Sequence, residues 1–287
     1  MKEQIYILEN QDSFEPKHIF DCGQCFRWNE QQDKSYTGVF KSNVLNVKKQ
    51  ANKIIFKGIV KGNIKSVVED YFDLKRDYSK IKEELSKIDE NVGLSIKYGE
   101  GIRILNQELV ETILSFIISA NNNIPRIKGI IEKISEKYGS KIIWNNKTYY
   151  TFPTLEQLKN VSTEEYRSLG AGFRDKRLFE TVKILLKQKS DINNWYKDDT
   201  NNIREELLKL SGVGPKVADC ILLFSDLKRF DVFPIDVWVR RVMNELYIKN
   251  SDETKVNKTE IQKLALQKFG KYQGLAQQYL FYWKREA

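Results

Sequence analysis

A glycine-rich turn between two helical segments constrains the fold of this chain more than any other feature of its sequence. Residues 207–240 read LLKLSGVGPKVADCILLFSDLKRFDVFPIDVWVR, with Gly212 and Gly214 between apolar residues at helical spacing. Glycine leaves the backbone N–H groups of a turn uncovered, and Pro215 suits the first turn of the helix that follows. Because helix N-termini attract phosphate, we predict a hairpin of two helices that holds a nucleic-acid backbone.

Two residues of this segment can carry out chemistry. Lys216 lies in the first turn of the predicted helix, where the positive end of the helix dipole is expected to lower the pKa of the ammonium group. A lysine of lowered pKa can act as a nucleophile. Asp236 can stabilise a nearby cation, but it can equally cap a helix from Val237 to Leu246. The hairpin by itself could also be only a structural contact to DNA phosphate.

The hairpin, its lysine and the later aspartate resemble the helix-hairpin-helix, Gly/Pro-rich, aspartate signature of base-excision DNA glycosylases. GVGPKVADC followed by PIDVW is similar to the eukaryotic-type 8-oxoguanine DNA glycosylase/lyase, and the resemblance covers nearly the whole chain. It implies that Lys216 attacks the sugar and that Asp236 stabilises the sugar cation. The implied backbone contacts to DNA are those of Gly212, Gly214 and Val217. The implied ligands of a structural cation are the carbonyls of Leu208, Leu210 and Val213.

The resemblance also assigns a base pocket. Cys220 lies four residues after Lys216 and Phe281 four after Gln277, so each pair shares a helical face. The family places the cysteine against the plane of the flipped base, while the glutamine and phenylalanine bind its edge and its face. The nearby amine is expected to bias the Cys220 thiol toward thiolate. Taken without the family, Cys220 and Phe281 would be core residues and Gln277 a surface residue.

Gly23, in FDCGQCFRW, is the glycine whose carbonyl in this family meets N7 of the base. N7 carries a hydrogen in 8-oxoguanine and none in guanine, so one acceptor distinguishes the lesion from the normal base. The residues alone predict a strand over this segment followed by a tight turn. In SFIISANNNIPR, Asn123 is a suitable helix cap, whereas the family pattern assigns Asn121 to the gap left in the duplex and Arg126 to the orphaned cytosine.

A second turn, in LGAGFRDKR, carries Phe173 and Arg174. An aromatic ring on a tight turn can wedge between bases and kink DNA. The family usually has tyrosine at the position of Phe173, so a hydroxyl contact is lost and selectivity for the opposite base is in doubt. It commonly has histidine at the position of Trp238, and tryptophan neither titrates nor accepts a hydrogen bond.

Composition supports a polyanionic partner and gives no sign of a metal cofactor. The chain of 287 residues has 48 Lys and Arg against 39 Asp and Glu, a formal net charge of +9. Cys22 and Cys25 form one C-x-x-C pair and His18 is the single histidine, so neither a zinc site nor an iron–sulfur cluster is expected. No apolar run approaches ~18 residues, which argues against a membrane span. We therefore expect a monomeric bacterial protein of the cytoplasm and nucleoid that uses no cofactor.

The hydrophobic period changes along the chain and predicts an α+β fold of two domains. Gln4 to Leu8, Val44 to Val47 and Lys53 to Phe56 are predicted strands of an antiparallel sheet with a few helices, in a TBP-like domain of residues 1–95. The period changes from Leu105 onward, and helical spacing there predicts an all-helical domain of residues 96–287.

The sequence thus favours an enzyme that excises 8-oxoguanine, opposite cytosine, from double-stranded DNA and cleaves the abasic strand through a lysine Schiff base. Two alternatives remain open. A glycosylase for alkylated purines would share Asp236 but needs no lysine nucleophile, and it would release 3-methyladenine without strand cleavage. A DNA-binding module without enzymatic activity would share only the hairpin and the positive charge.

Overall fold

The structure is a computed structural model that describes residues 2–9, 13–252 and 255–286. Within these ranges an antiparallel sheet is followed by a predominantly helical part. The strands are β1 Glu3–Glu9, β2 Trp28–Glu30, β3 Tyr36–Phe40, β4 Asn43–Gln50, β5 Lys53–Ile59, β6 Lys141–Trp144 and β7 Lys147–Tyr150. The helices are α1 Pro16–Phe20, α2 Ile64–Tyr71, α3 Tyr78–Ile88, α4 Glu90–Tyr98, α5 Leu109–Ser119, α6 Ile124–Tyr138, α7 Leu155–Leu158, α8 Thr163–Ser168, α9 Asp175–Lys187, α10 Lys189–Trp195, α11 Thr200–Leu208, α12 Pro215–Phe224, α13 Val237–Met243, α14 Lys258–Phe269 and α15 Gln273–Glu286.

The first strands pair in the order β1-β5-β4-β3-β2, all antiparallel. The three predicted strands are confirmed, since each lies within β1, β4 or β5. One face of this sheet is covered by α1 and α2 through aromatic side chains. Phe20 of α1 stacks on Trp28 at 4.1 Å between ring centroids, and Phe72 meets Phe56 at 5.3 Å. These rings form a first hydrophobic core, which fixes the sheet beneath the turn that follows α1.

A second core lies within the helical part and holds the helices that carry the predicted site. Helix α5 is buried along almost its whole length, and α12 buries every residue from Val217 to Phe224. The predicted change to helical structure is thereby confirmed, as is the α+β fold class. Apolar residues of α3 and α4 join this second core. The domain boundary near residue 95 stays a prediction.

The hairpin of β6 and β7 interrupts the helical part and was not predicted. Ile142 and Trp144 pack against Val39 and Val44 of the sheet, and the indole Nε1 of Trp144 donates to Glu3 at 2.7 Å. The short β6–β7 pair therefore attaches the helical part to the sheet face opposite the aromatic core.

Residues 20–28 do not contain the strand that the sequence predicted ahead of the turn. Helix α1, which Pro16 begins, occupies the preceding residues, and β2 starts only at Trp28. The chain between them is held by the buried side chain of Gln24, whose amide donates to the carbonyls of Ile19 and Arg103 at 2.8 Å each. This fixed turn places Gly23 against the helical part.

In the described ranges, each helix is too short or too polar to span a lipid bilayer.

Candidate active site

The predicted helix-hairpin-helix is confirmed as a structure: α11 ends at Leu208 and α12 begins at Pro215. Gly212 has a φ of +86°, a conformation that favours glycine, and a Cβ there would lie 2.7 Å from Cδ of Arg177. Gly214 has an ordinary φ of −99° and faces open space. The backbone conformation therefore requires glycine only at position 212, whereas Gly214 leaves room for a ligand at the start of α12.

We expect Gly212→Ala to lower the free energy of unfolding by about 1–3 kcal/mol, because alanine is strained at this φ and its Cβ collides with Arg177. The variant should also bind damaged and undamaged duplexes more weakly. Gly214→Ala is the matched control, and its stability should fall by less than about 1 kcal/mol. Urea denaturation measures both variants. Equal stability losses would show that backbone strain does not distinguish the two glycines.

Val217 and the carbonyls before the hairpin turn are suited to backbone contacts only. The Val217 side chain is buried, but its N–H belongs to the first turn of α12, whose N–H groups lack partners within the helix. The Leu210 carbonyl accepts the Val213 N–H at 3.1 Å and retains one lone pair. Carboxylate, imidazole and thiolate ligands do not cluster anywhere in the described ranges, so a cation here would be held by carbonyls. This cation stays a prediction.

A cavity of about 280 Å³ opens between α12, α15 and the turn after α1. It brings together all six residues predicted for catalysis and for the base pocket. These are Gly23, Lys216, Cys220, Asp236, Gln277 and Phe281. They come from four separate segments of the chain, so only the tertiary structure places them around one space.

Lys216 lies between Cys220 and the aromatic ring of Phe116. Its side chain hydrogen-bonds to Cys220, one turn later in α12, and its Nζ lies 5.4 Å from the ring centroid of Phe116. Burial acts to lower the pKa of Lys216, but Cys220 and the charge of Asp236 outweigh it and raise the pKa above its usual value. The prediction of a lowered pKa is therefore wrong. At neutral pH the group is an ammonium, which must lose a proton before nucleophilic attack.

Cys220 is a buried thiol rather than the predicted thiolate. Burial raises its pKa by more than the neighbouring Lys216 lowers it. The expected bias toward thiolate is thus wrong, because the apolar surroundings of α12 penalise the charged form more than one cation favours it. A neutral thiol therefore adds no negative charge beside the Lys216 ammonium.

Asp236 is confirmed as a helix cap and also lies at the cavity, whereas its role in stabilising a cation stays a prediction. Its Oδ1 accepts the N–H of Val239 at 2.8 Å, so it caps α13, and the same side chain lines the cavity. The predicted helix start at Val237 is confirmed; α13 ends at Met243 and continues as a π-helical turn over Asn244–Ile248. The cap fixes the carboxylate at the start of α13, where it faces the space beside Lys216.

Two glutamines of α15 have different roles in the pocket. Gln277 is 5% exposed, and its Oε1 has no hydrogen-bond partner among the described residues. A buried acceptor without a partner is costly, so this oxygen is available to a ligand. Gln278, which sequence reasoning missed, donates from Nε2 to the Cys22 carbonyl at 2.6 Å. It thereby fixes the turn that carries Gly23, whose φ is +87°.

Other residues lining the pocket were also missed from the sequence. Among them are Phe26, Phe116, Ser119, Asn122, Pro234 and Arg285. Phe116 and Ser119 lie in the apolar helical pattern of α5, which is indistinguishable from ordinary core, whereas Phe26, Asn122 and Pro234 lie in connecting segments. Arg285 follows Phe281 by four residues, and this helical spacing was the one sequence signal that could have indicated it. Trp238 lines the cavity as well and is 50% exposed, with the Arg241 guanidinium 5.4 Å from its ring centroid.

The other predicted DNA-contacting residues lie in or beside two turns outside the cavity. Asn121 is exposed with a φ of +50°, and Asn123 caps α6 by accepting the Arg126 N–H at 3.0 Å. The Arg126 side chain is exposed. Phe173 is 55% exposed at a short 3₁₀ turn, although rings of this size are usually buried. An exposed ring beside exposed polar groups is suited to contact a partner.

Arg174 differs from these residues because it is only 2% exposed. Its guanidinium donates to the carbonyls of Ala120 and Asn121 at 2.9 and 2.7 Å, and it also stacks on Phe173. Arg174 therefore joins the two turns. Its contact to DNA stays a prediction.

Two family models match consecutive parts of this chain. The 8-oxoguanine DNA glycosylase N-terminal domain matches residues 6–113. The HhH-GPD superfamily of base excision DNA repair proteins matches residues 114–267, more than half of the chain. The chain belongs to the HhH-GPD superfamily. The N-terminal match confirms the resemblance to its 8-oxoguanine glycosylase branch.

Relatives and solved structures agree with this HhH-GPD assignment. A probable N-glycosylase/DNA lyase of Methanothermobacter thermautotrophicus is 32% identical over 76% of this chain and 74% of its own length. The Clostridium acetobutylicum 8-oxoguanine glycosylase/lyase, solved with double-stranded DNA containing cytosine opposite 8-oxoguanine, is 43% identical with a TM-score of 0.92. That alignment covers 99% of this chain and 97% of the other. A 3-methyladenine DNA glycosylase from Archaeoglobus fulgidus, at 17% identity and a TM-score of 0.78, shares the fold alone.

Proposed function

We propose that this HhH-GPD protein is a bifunctional enzyme that excises 8-oxoguanine from double-stranded DNA and then cleaves the abasic strand. The observation that carries the proposal is the single cavity in which a lysine and a carboxylate lie beside an unpaired amide oxygen and an aromatic ring. An alkylpurine glycosylase requires no lysine in that position, and a binding module requires no such cavity.

In the proposed first step, Lys216 attacks C1′ of the flipped nucleotide. After losing its proton, the amine forms a bond to C1′ while the bond between C1′ and N9 breaks, and the base leaves with the bonding electrons. Positive charge develops on the sugar in this transition state, and the carboxylate of Asp236 stabilises it. The leaving base takes up a proton to become neutral.

The proposed second step cleaves the strand without a cofactor. Opening of the sugar ring converts the lysine adduct into a Schiff base. Loss of a proton from C2′ then allows β-elimination, which expels the 3′ phosphate and leaves an unsaturated sugar attached to Lys216. Hydrolysis of the imine regenerates the amine.

The pocket residues are proposed to select the oxidised base. The carbonyl of Gly23 would accept the hydrogen that N7 carries in 8-oxoguanine, whereas guanine would leave this acceptor unpaired. The free Oε1 of Gln277 would accept from the pyrimidine-ring edge of the base, and Phe281 would stack on its face. Flipping the base costs a few kcal/mol, which these contacts and DNA bending offset.

Borohydride trapping on a duplex containing 8-oxoguanine opposite cytosine tests the proposal. A covalent protein–DNA adduct and coupled strand cleavage are expected. Release of 3-methyladenine without strand cleavage would instead select the alkylpurine alternative. Binding to DNA with no base released from any lesion would select the non-enzymatic module.

The proposed DNA contacts imply a steep dependence on salt. The net charge of +9 and the open start of α12 predict several phosphate contacts, each of which releases counterions. We expect log K to fall linearly with log salt concentration, with a slope near −0.9 for each phosphate contacted. Fluorescence anisotropy between low and physiological salt measures this slope, and an affinity independent of salt would contradict the assignment of the hairpin.

Selectivity for the opposite base is expected to be looser than with tyrosine at position 173. Phe173 retains the exposed ring but lacks a hydroxyl, so Phe173→Tyr should raise the preference for cytosine by about two- to tenfold, the effect of one hydrogen bond. Single-turnover excision opposite each of the four bases measures this. A strict cytosine requirement in the unmodified protein, abolished equally by Arg126→Ala and Phe173→Ala, would show that the hydroxyl is unimportant.

A further inference from the structure

Arg285, in the last turn of α15, is placed to contact the base. It follows Gln277 and Phe281 at intervals of four, so the three side chains lie along one face of the helix. All three line the same cavity. Its guanidinium carbon lies 5.1 Å from the ring centroid of Phe281, and planar guanidinium groups stack well on aromatic rings.

Two of the three guanidinium nitrogens of Arg285 already have partners. Nη2 donates to the Asp21 carbonyl, in the turn that carries Gly23, and Nε donates to Glu286 at 2.9 Å. Nη1 has no hydrogen-bond partner among the residues that the structure describes, and it lies 3.3 Å from the position that a Cβ of Gly23 would occupy. A donor fixed by two neighbours and lacking a partner is therefore held next to Gly23.

We propose that Arg285 reads the oxidised base directly, with Nη1 donating to the exocyclic oxygen O6 beside the N7 edge that Gly23 reads. This inference rests on the proposed function. Arginine pairs with guanine through acceptors on the O6 and N7 edge. In 8-oxoguanine N7 is itself a donor and is taken by the Gly23 carbonyl, which leaves the acceptors O6 and O8 on either side of it. We assign Nη1 to O6, the one of the two that an oxidised adenine lacks. A guanidinium cannot accept, so a base with an amino group at C6 would present one donor to another.

The Gly23 carbonyl and the Arg285 guanidinium would each recognise a different feature of the base. The Gly23 carbonyl distinguishes oxidised from normal guanine, and Arg285 distinguishes an oxidised guanine from an oxidised adenine, which has N7–H and O8 but an amino group in place of O6. Stacking on Phe281 and the bond to Asp21 hold the guanidinium before the base arrives, so little side-chain entropy is lost on contact.

The test compares excision of 8-oxoguanine and 8-oxoadenine from otherwise identical duplexes under single-turnover conditions. Arg285→Leu is expected to slow 8-oxoguanine excision by about tenfold while excision of 8-oxoadenine is unchanged or faster. Arg285→Lys, which keeps a donor, should restore part of the preference. Affinities of the same duplexes in a Lys216→Gln background provide a second readout that does not require turnover, and the expected ratio of the two affinities shifts in the same direction.

Controls separate base reading from a purely structural role. Lys284→Leu removes the neighbouring cation, which pairs with Glu245 at 2.7 Å and does not line the pocket, and it should leave the ratio unchanged. Trapping on a preformed abasic site shows that Arg285→Leu is folded, because that reaction needs no base. Equal losses on both bases would mean that Arg285 only holds the Asp21 turn, and the inference would be wrong. Unchanged excision of both bases would also overturn it. Failure of the unmodified protein to excise 8-oxoguanine would instead refute the proposed function.

Discussion

Lys216→Gln is expected to abolish borohydride trapping and to slow coupled strand cleavage by about 10⁴-fold or more, because the covalent step has no other amine in the pocket lining. Glutamine keeps a long polar side chain at the start of α12, so affinity for an 8-oxoguanine duplex should change little. Gel analysis of trapped adducts and cleaved strands measures the chemistry, and anisotropy measures binding.

Lys209→Gln is the matched control for this variant. Lys209 lies at the other end of the same hairpin, where it pairs with Glu206 at 2.5 Å outside the cavity. Its loss should weaken DNA binding slightly and leave trapping intact. If Lys216→Gln cleaved DNA as fast as the unmodified protein, the lysine would be a phosphate contact at the hairpin edge and the proposed mechanism would fail.

Asp236→Asn is expected to slow base release by about 10²- to 10³-fold, since it removes the charge that faces the developing sugar cation. The substitution should remove the negative charge of Asp236 without removing its helix cap. Asparagine caps helices as well as aspartate does, so the bond that Asp236 accepts from the Val239 N–H is preserved and α13 should keep its stability. Lys216 remains, and trapping on a preformed abasic site should therefore persist.

Asp199→Asn controls for the loss of one capping carboxylate. Asp199 caps α11 by accepting the N–H groups of Asn201 and Asn202 and does not line the cavity. Its substitution should leave base release unchanged. Unaltered base release by Asp236→Asn would assign Asp236 to capping alone, and equal loss of release and abasic-site trapping would indicate a damaged pocket rather than a lost charge.

The site was predictable from sequence where its geometry is local. The turn between α11 and α12, the placement of Lys216 and Cys220 on one face, and the cap at Asp236 depend on residues within a few positions of one another. Helical periodicity and the preferences of glycine, proline and aspartate determine such features. The resemblance to a known family then extended the prediction to Gly23, Gln277 and Phe281, which the residues alone favoured as turn, surface and core.

Features that depend on distant segments were missed or predicted wrongly. The segment before Gly23 was predicted as a strand, yet Gln24 and the packing of Phe20 on Trp28 hold a helix and a turn there. The β6–β7 hairpin is stabilised by contacts with the sheet far earlier in the chain. No local sequence pattern encodes such long-range contacts. They can therefore override local secondary-structure propensity or stabilise an element that propensity does not predict.

By itself, the sequence determined the hairpin, the order of sheet and helices, and the residues able to act as nucleophile and cation stabiliser. Burial and the position of Asp236, which only the tertiary structure decides, acted with the local neighbour Cys220 on the protonation of that site. Helix position favoured a lowered pKa for Lys216 and burial acts in the same direction, but Cys220 and then Asp236 raise the pKa above its usual value. Burial keeps Cys220 a thiol. The physical reason is that a pKa depends on desolvation and on charges that lie close in space. Lys216 of α12 and Asp236 at the start of α13 come close together only when the second core is packed.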